Sequence, residues 1–121
     1  METQEIANKL VTYCRAREDQ KAVEELYDDY IVSIEPPQGD TDNVVSGMSA
    51  LLEKHKWWHE NVEMHEIDVK GPFMGDNPNQ FVVHFDLDAT TKGEPRQHME
   101  EVAIYTVSNG KIIREEFLYG A

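Results

Sequence analysis

Apolar and polar positions alternate with period 2 from Gln97 to Tyr119, broken once at Asn109-Gly110. Before the break one face carries Met99, Glu101, Ala103, Tyr105 and Val107, and after it Ile113, Glu115, Phe117 and Tyr119. Two strands joined by a tight turn explain the pattern, because side chains alternate between the two faces of a strand. Asn and Gly both reach positive φ easily, which suits a two-residue type I′ hairpin. Glu101 and Glu115 fall on the apolar faces, where a carboxylate is costly unless it is paired or wetted.

Earlier in the chain the period changes. Residues 3–18 read as a helix with Ile6, Ala7, Leu10, Val11 and Cys14 on one stripe, capped by Thr3 and favoured by Glu5 in its first turn. Asp19 caps a second helix whose stripe is Ala22, Val23, Leu26 and Tyr27. Tyr30 to Glu35 is β-branched and reads as a strand ended by Pro36-Pro37, and the polar stretch from Gln38 to Ser46 reads as a loop. A third helix is expected from Met48 to about Asn61, with Leu51, His55 and Trp58 on one face. Strands follow over Glu63–Lys70 and Phe81–Ala89, separated by Gly, Pro and Asn clusters. The order is helix, helix, strand, helix, then four strands, which is an α+β arrangement. A curved, mostly antiparallel sheet wrapped around the N-terminal helices would leave an internal pocket at its open end.

Composition narrows the function classes. A chain of 121 residues suits one domain, spanning 1–121, with a sizeable core. The net charge of −13 argues against a nucleic-acid partner, since phosphate would be repelled. No apolar run approaches a membrane span and no secretory signal is expected before Thr3. The one cysteine, Cys14, excludes an internal disulfide and fits a reducing cytoplasm. Its apolar helical stripe offers no nearby base to make it a nucleophile.

Three groups of residues carry a resemblance. The first is Glu25-Leu26-Tyr27-Asp28-Asp29 leading into Val32-Ser33-Ile34-Glu35-Pro36-Pro37, the second is Gly47 opening the third helix, and the third is Asn109-Gly110-Lys111-Ile112-Ile113 followed by Glu115 and Tyr119. In this order and spacing, over nearly the whole chain, they resemble the nuclear transport factor two-like superfamily, and within it the SnoaL-like and ketosteroid-isomerase-like domains. The resemblance implies a cone-shaped α+β fold with an internal pocket, commonly dimeric. It implies no single chemistry, since such folds serve isomerases, cyclases, hydratases and proteins that only bind. Its general base, a carboxylate just before a proline on the first strand, corresponds to Glu35. Its oxyanion-hole tyrosine and protonated aspartic acid correspond to Val11 and to a residue near Val102 or Ala103, so both donors are missing. A base without the donors that stabilise an enolate loses a large part of the catalytic effect, which disfavours steroid isomerisation.

The candidate catalytic set is therefore Glu35, His55, His65, Glu101 and Glu115, with Trp58, Phe85, Tyr105, Phe117 and Tyr119 lining the pocket. Glu115 has a competitor, because a register slip of one would turn Glu116 inward instead. Glu35 would act as base with His55 or His65 as its partner in a cofactor-independent isomerase, lyase or hydratase. The alternative is a non-catalytic domain that binds a small-molecule ligand, with cationic or hydroxyl-rich molecules favoured over anions. His55 and His59 stand four apart, but Lys56 occupies the place where a zinc-protease helix carries glutamate, so no metal or other cofactor is expected. On the outer face of the late strands, Val82, Val102 and Ile104 lie among His84, Asp86, Asp88, His98 and Glu100. A small apolar centre with a polar rim suits a symmetric homodimer.

Overall fold

The computed structural model describes residues 1–38 and 41–120; of residues 38, 41 and 42 it describes the backbone alone. Its elements run α1 (Thr3–Arg15), α2 (Asp19–Leu26), β1 (Tyr27–Gln38), β2 (Thr41–Ser46), α3 (Met48–Asn61), β3 (Val62–Met74), β4 (Gln80–Thr91), β5 (Gln97–Ser108) and β6 (Lys111–Tyr119). The six strands form one curved, unclosed sheet in the order β2-β1-β6-β5-β4-β3. The β1–β6 pair is parallel and every other pair is antiparallel. The class is α+β, and the sheet wraps the helices as a cone.

The core lies between the concave face of the sheet and the apolar stripes of the helices. Ile6 and Leu10 of α1, Val23 and Leu26 of α2 and Leu51 of α3 are buried against Phe81, Val83, Tyr105 and Ile112. Phe81 and Tyr105, paired across β4 and β5, stack with ring centroids 5.0 Å apart. Strand β3 ends the sheet, so one row of its carbonyls has no strand partner. Arg15 donates twice to the Val69 carbonyl at 3.1 and 2.9 Å, and Arg17 donates to those of Met64 and His65, both at 3.0 Å. The end of α1 and the turn that follows it thereby satisfy backbone groups that an edge strand leaves open.

The Asn109-Gly110 turn forms as its residue types require, with φ of 51° and 76°. Several other boundaries differ from the sequence expectation. Residues 41–46 pair with β1 as a strand; residues 39 and 40 of the expected loop lie outside the described residues. This edge strand can be polar because little of it is buried; Val45 packs toward the core and Val44 is exposed. Strand β1 starts at Tyr27 and passes through Pro36 and Pro37, which fall in a ladder irregularity between Glu35 and Gln38 where no donor is needed. The first helix ends at Arg15, since Arg17 turns to a φ of 58°. Thr3 and Asp19 are first helical residues, preceded by Glu2 and Glu18, and neither helix has a side-chain cap. At the start of β6 a shift in register makes Ile112, rather than Ile113, the buried partner of Val107.

Candidate active site at the mouth of the cone

Three rows of side chains cross the concave face of the sheet. The deepest runs Ser33–Glu115–Tyr105–Phe81 through β1, β6, β5 and β4. The next contains Phe117, Ala103 and Val83, and the outermost Tyr119, Glu101 and Phe85. Burial falls along this direction: Tyr105 is 2% exposed and Tyr119 is 46% exposed. The rows therefore lead from the closed end of the cone to its mouth.

The deep row carries a chain of hydrogen bonds. Lys54 Nζ, from α3, donates to Ser33 Oγ at 2.9 Å. Ser33 Oγ donates to Glu115 Oε1 at 2.8 Å, and the Tyr27 hydroxyl donates to Glu115 Oε2 at 2.5 Å. Ser33 and Glu115 are the buried polar residues of the core. Glu115 points inward, as one of the two readings of β6 expected, while Glu116 points out and accepts from Arg114 at 2.9 Å. Burial raises the Glu115 pKa above the usual carboxylate value, against the opposing effects of Tyr27, Ser33 and Lys54. Burial and the neighbouring Glu115 raise the hydroxyls of Tyr27 and Tyr105 well above theirs, so both stay protonated.

Nearer the mouth, Lys54 Nζ also lies 2.8 Å from Glu35 Oε1 and 5.2 Å from the centre of the Phe117 ring. Glu101 stands outside this chain of hydrogen bonds among the described residues. Its pKa is pushed up to about 7, first by burial and then by the charges of Glu35 and Glu115, with Lys54 pulling it down. A carboxyl near 7 exchanges protons readily at neutral pH.

Glu35, Glu101 and Glu115 thus share one wall, with Phe85, Tyr105 and Phe117 beside them and Trp58 half-buried against the core. Both histidines are elsewhere. His65 is the extra residue of a β-bulge between Met64 and Glu66, and the bulge reverses its side: Nε2 lies 2.8 Å from Thr90 Oγ1 on the outer face. His55 turns toward the start of α2, with Nδ1 3.7 Å from Asp19 Oδ2, buried and without a hydrogen-bond partner among the described residues. Burial lowers its pKa, so it is neutral at pH 7. Tyr119 pairs with Glu101 along the backbone but its side chain is exposed. Cys14 is pushed up to about 12 by burial and by Asp19, which keeps it a thiol.

Sequence reasoning passed over Lys54, Ser33 and Tyr27. At about 100° per residue, Lys54 lies about 60° to one side of Leu51 and His55 about 40° to the other. Both flank the buried stripe, and only the packed structure decides which flank meets the strands. Ser33 could have been found, since it shares parity with Ile31 and Glu35. Tyr27 was hidden because the chain passes from helix to strand at that residue.

Other features bound the site. Val11 and Ala103 are buried and apolar and Val102 points outward, so the oxyanion-hole positions offer no donor. Among the described residues no group of three or more His, Cys, Asp or Glu side chains is placed to hold a metal ion, and no helix is long and apolar enough to cross a membrane. Two surface depressions lie away from this wall. One of about 440 Å³ lies between the N-terminal residues and the β5–β6 turn, and one of about 250 Å³ lies along α1 at Lys9 and Tyr13.

A cone of six strands around three helices, with polar groups along its inner wall, defines the class. The family model of the SnoaL-like domain matches residues 1–119, and the chain belongs to that family. A protein from Mesorhizobium loti, named both a candidate SnoaL-like polyketide cyclase and a carbohydrate phosphatase, is 38% identical. The match covers 98% of this chain and 100% of that one, with a TM-score of 0.91. A candidate isomerase from Bacillus subtilis has a TM-score of 0.75 at 16% identity, covering 99% of this chain and 90% of that one. A phenazine biosynthesis-related protein from Pseudomonas aeruginosa has a TM-score of 0.69 at 18% identity, covering 96% and 80%. These last two share the fold. No curated protein matches the chain.

Proposed function

We propose that this SnoaL-like domain takes a small organic molecule into the mouth of its cone and moves a proton on it without a cofactor. Glu101 takes and returns the proton, and Lys54 faces the negative charge that develops. The observation that carries this reading is the meeting of Glu101, Glu35 and Lys54 at one partly open end of the cone. Lys54 and Glu35 side chains keep 26% and 22% of their exposure, so a ligand can reach them. Glu35, the base expected from the sequence, is engaged with Lys54 at 2.8 Å and acts here as its counter-ion. Proton removal beside a carbonyl, followed by return at another carbon, makes an isomerase. Loss of a leaving group from the same enolate makes a lyase, and the reverse addition of water makes a hydratase.

A non-catalytic binding domain is the second reading, and the neutralisation of Glu35 by Lys54 favours it, because a catalytic base would be free of such a partner. The two readings separate in one experiment. The protein is incubated with a panel of apolar, enolisable ketones in heavy water, and exchange of the protons beside the carbonyl is followed by NMR. Proton transfer predicts exchange above buffer that Glu101→Gln abolishes and Lys54→Met slows at least tenfold. Chemical-shift changes at Phe117 or Trp58 without exchange would establish binding alone.

The outer face of the sheet supports pairing with a second copy. Val82, Val102 and Ile104 form its centre. Ion pairs surround them, with His84 2.7 Å from Glu100, Arg96 bidentate on Asp88 at 2.8 and 2.6 Å, and His98 against Asp86. Leu118 and Phe73 extend the apolar strip and are more than half exposed.

A further inference from the structure

We infer that Tyr27, Glu115 and Ser33 form a buried positioning chain that holds the Lys54 ammonium in place at the mouth of the cone. The role given to Lys54 itself rests on the proposed function; the chain behind it rests on geometry.

The direction of the bonds carries the argument. An ammonium has donors and no acceptor, so in the Lys54–Ser33 contact the serine oxygen accepts. The serine proton is then free for its only other neighbour in the chain, Glu115 Oε1, at 2.8 Å. The second carboxylate oxygen takes the Tyr27 hydroxyl at 2.5 Å. Each link fixes the next. A flexible four-carbon side chain at the rim loses rotamer entropy when immobilised, so it stays fixed only if several groups hold it. Glu35 alone is a partly exposed partner of the kind that holds a lysine weakly. Ser33 and Glu115 differ in being almost wholly buried, and a buried carboxylate with both oxygens occupied cannot rearrange cheaply.

The placement of each member has a cause in the sheet. Ser33 and Glu115 are direct neighbours in the parallel β1–β6 pair, and Glu115 faces Tyr105 across β5. Tyr27 is the first residue of β1 and enters from beneath, where α2 hands the chain to the sheet. Lys54 is the only member on a helix, so the chain ties α3 to the sheet at the point where a ligand would enter. Tyr27, Ser33 and Glu115 are therefore positioning residues: they act through Lys54 and lie too deep to touch a ligand.

The test follows the Lys54 side chain in the full chain labelled with ¹⁵N-lysine, its ammonium signal assigned by its loss in Lys54→Arg. An ammonium held by Ser33 and Glu35 exchanges slowly with water and gives a visible signal, while free lysines on the surface do not. Ser33→Ala is expected to abolish the signal, and Tyr27→Phe, which changes no charge and touches no atom of Lys54, to broaden or shift it. Ser33→Thr keeps the hydroxyl and is expected to restore the signal, which a merely destabilised fold would not do. Lys56→Ala on the exposed side of α3 serves as control and leaves the signal unchanged. Persistence of the Lys54 signal in Ser33→Ala, or a Tyr27→Phe spectrum identical to the native one, would overturn the chain. Absence of proton transfer to any ketone, with these NMR results intact, would remove the proposed function and leave the chain standing.

Discussion

Glu101 and Glu115 occupy the same inner face of the β5–β6 ladder, one on each strand, yet only Glu115 has hydrogen-bond donors on both oxygens. Glu101 pairs through its backbone with Tyr119 at the rim, whereas Glu115 pairs with the buried Tyr105. The same residue type therefore serves two purposes. The deep carboxylate organises its neighbours, and the shallow one carries a carboxyl that is unengaged among the described residues and whose pKa is pushed up to about 7.

Replacing Glu101 by glutamine should stabilise the protein at neutral pH. Its folded pKa, about 7, lies above the ordinary value of 4.5. The native chain therefore keeps its full stability below about pH 4.5 and loses part of it as pH rises through 7. Glu101→Gln removes that loss, so the two melting curves should coincide in acid and separate between pH 5 and 8. At about 1.4 kcal/mol per pH unit the gap is at most about 3–4 kcal/mol. Melting temperatures that stay parallel over this range would contradict the assignment.

Glu115 should respond differently to two substitutions. Glu115→Leu leaves the hydroxyls of Tyr27 and Ser33 buried without an acceptor, each costing about 1–3 kcal/mol. Glu115→Gln keeps one acceptor and supplies a donor to the other side, so its cost should be smaller. Chemical denaturation of both variants checks the order; equal losses would show that the carboxylate is held by packing alone.

Lys54→Met should raise the pKa of Glu101 further, since Lys54 is the group that lowers it while Glu35 and Glu115 raise it. Carboxyl ¹³C titration by NMR reads the change directly. An unaltered or lowered Glu101 titration in this variant would place the lysine away from the mouth in solution.

The proposed dimer can be tested by light scattering at micromolar concentration, with Ile104→Glu as the disrupting variant. Ile104 faces Val82 and Glu116 across the ladder on the outer side of the sheet. A glutamate at the centre of a closed apolar patch would be buried without a partner, which is costly enough to separate the subunits. A native monomer, or a dimer that survives the substitution, would remove the proposal.

Local pattern determined much of this protein. Period 2 between Gln97 and Tyr119, an Asn-Gly turn that tolerates two positive φ values, and apolar stripes on three helices are short-range signals, and they named the elements other than the polar edge strand β2, together with the inward carboxylates Glu101 and Glu115. The order of helices and strands placed the chain in its class, because each amphipathic face needs an opposing one to bury it. Three matters depended on contacts that no window along the chain contains. A single extra residue at His65 reversed a histidine to the outside, and bulges arise from pairing with a distant strand. The flank of α3 that meets β1 decided that Lys54 rather than His55 joins the carboxylates. The parallel β1–β6 pairing, between segments about eighty residues apart, brought Ser33 to Glu115 and so assembled the buried chain behind the mouth.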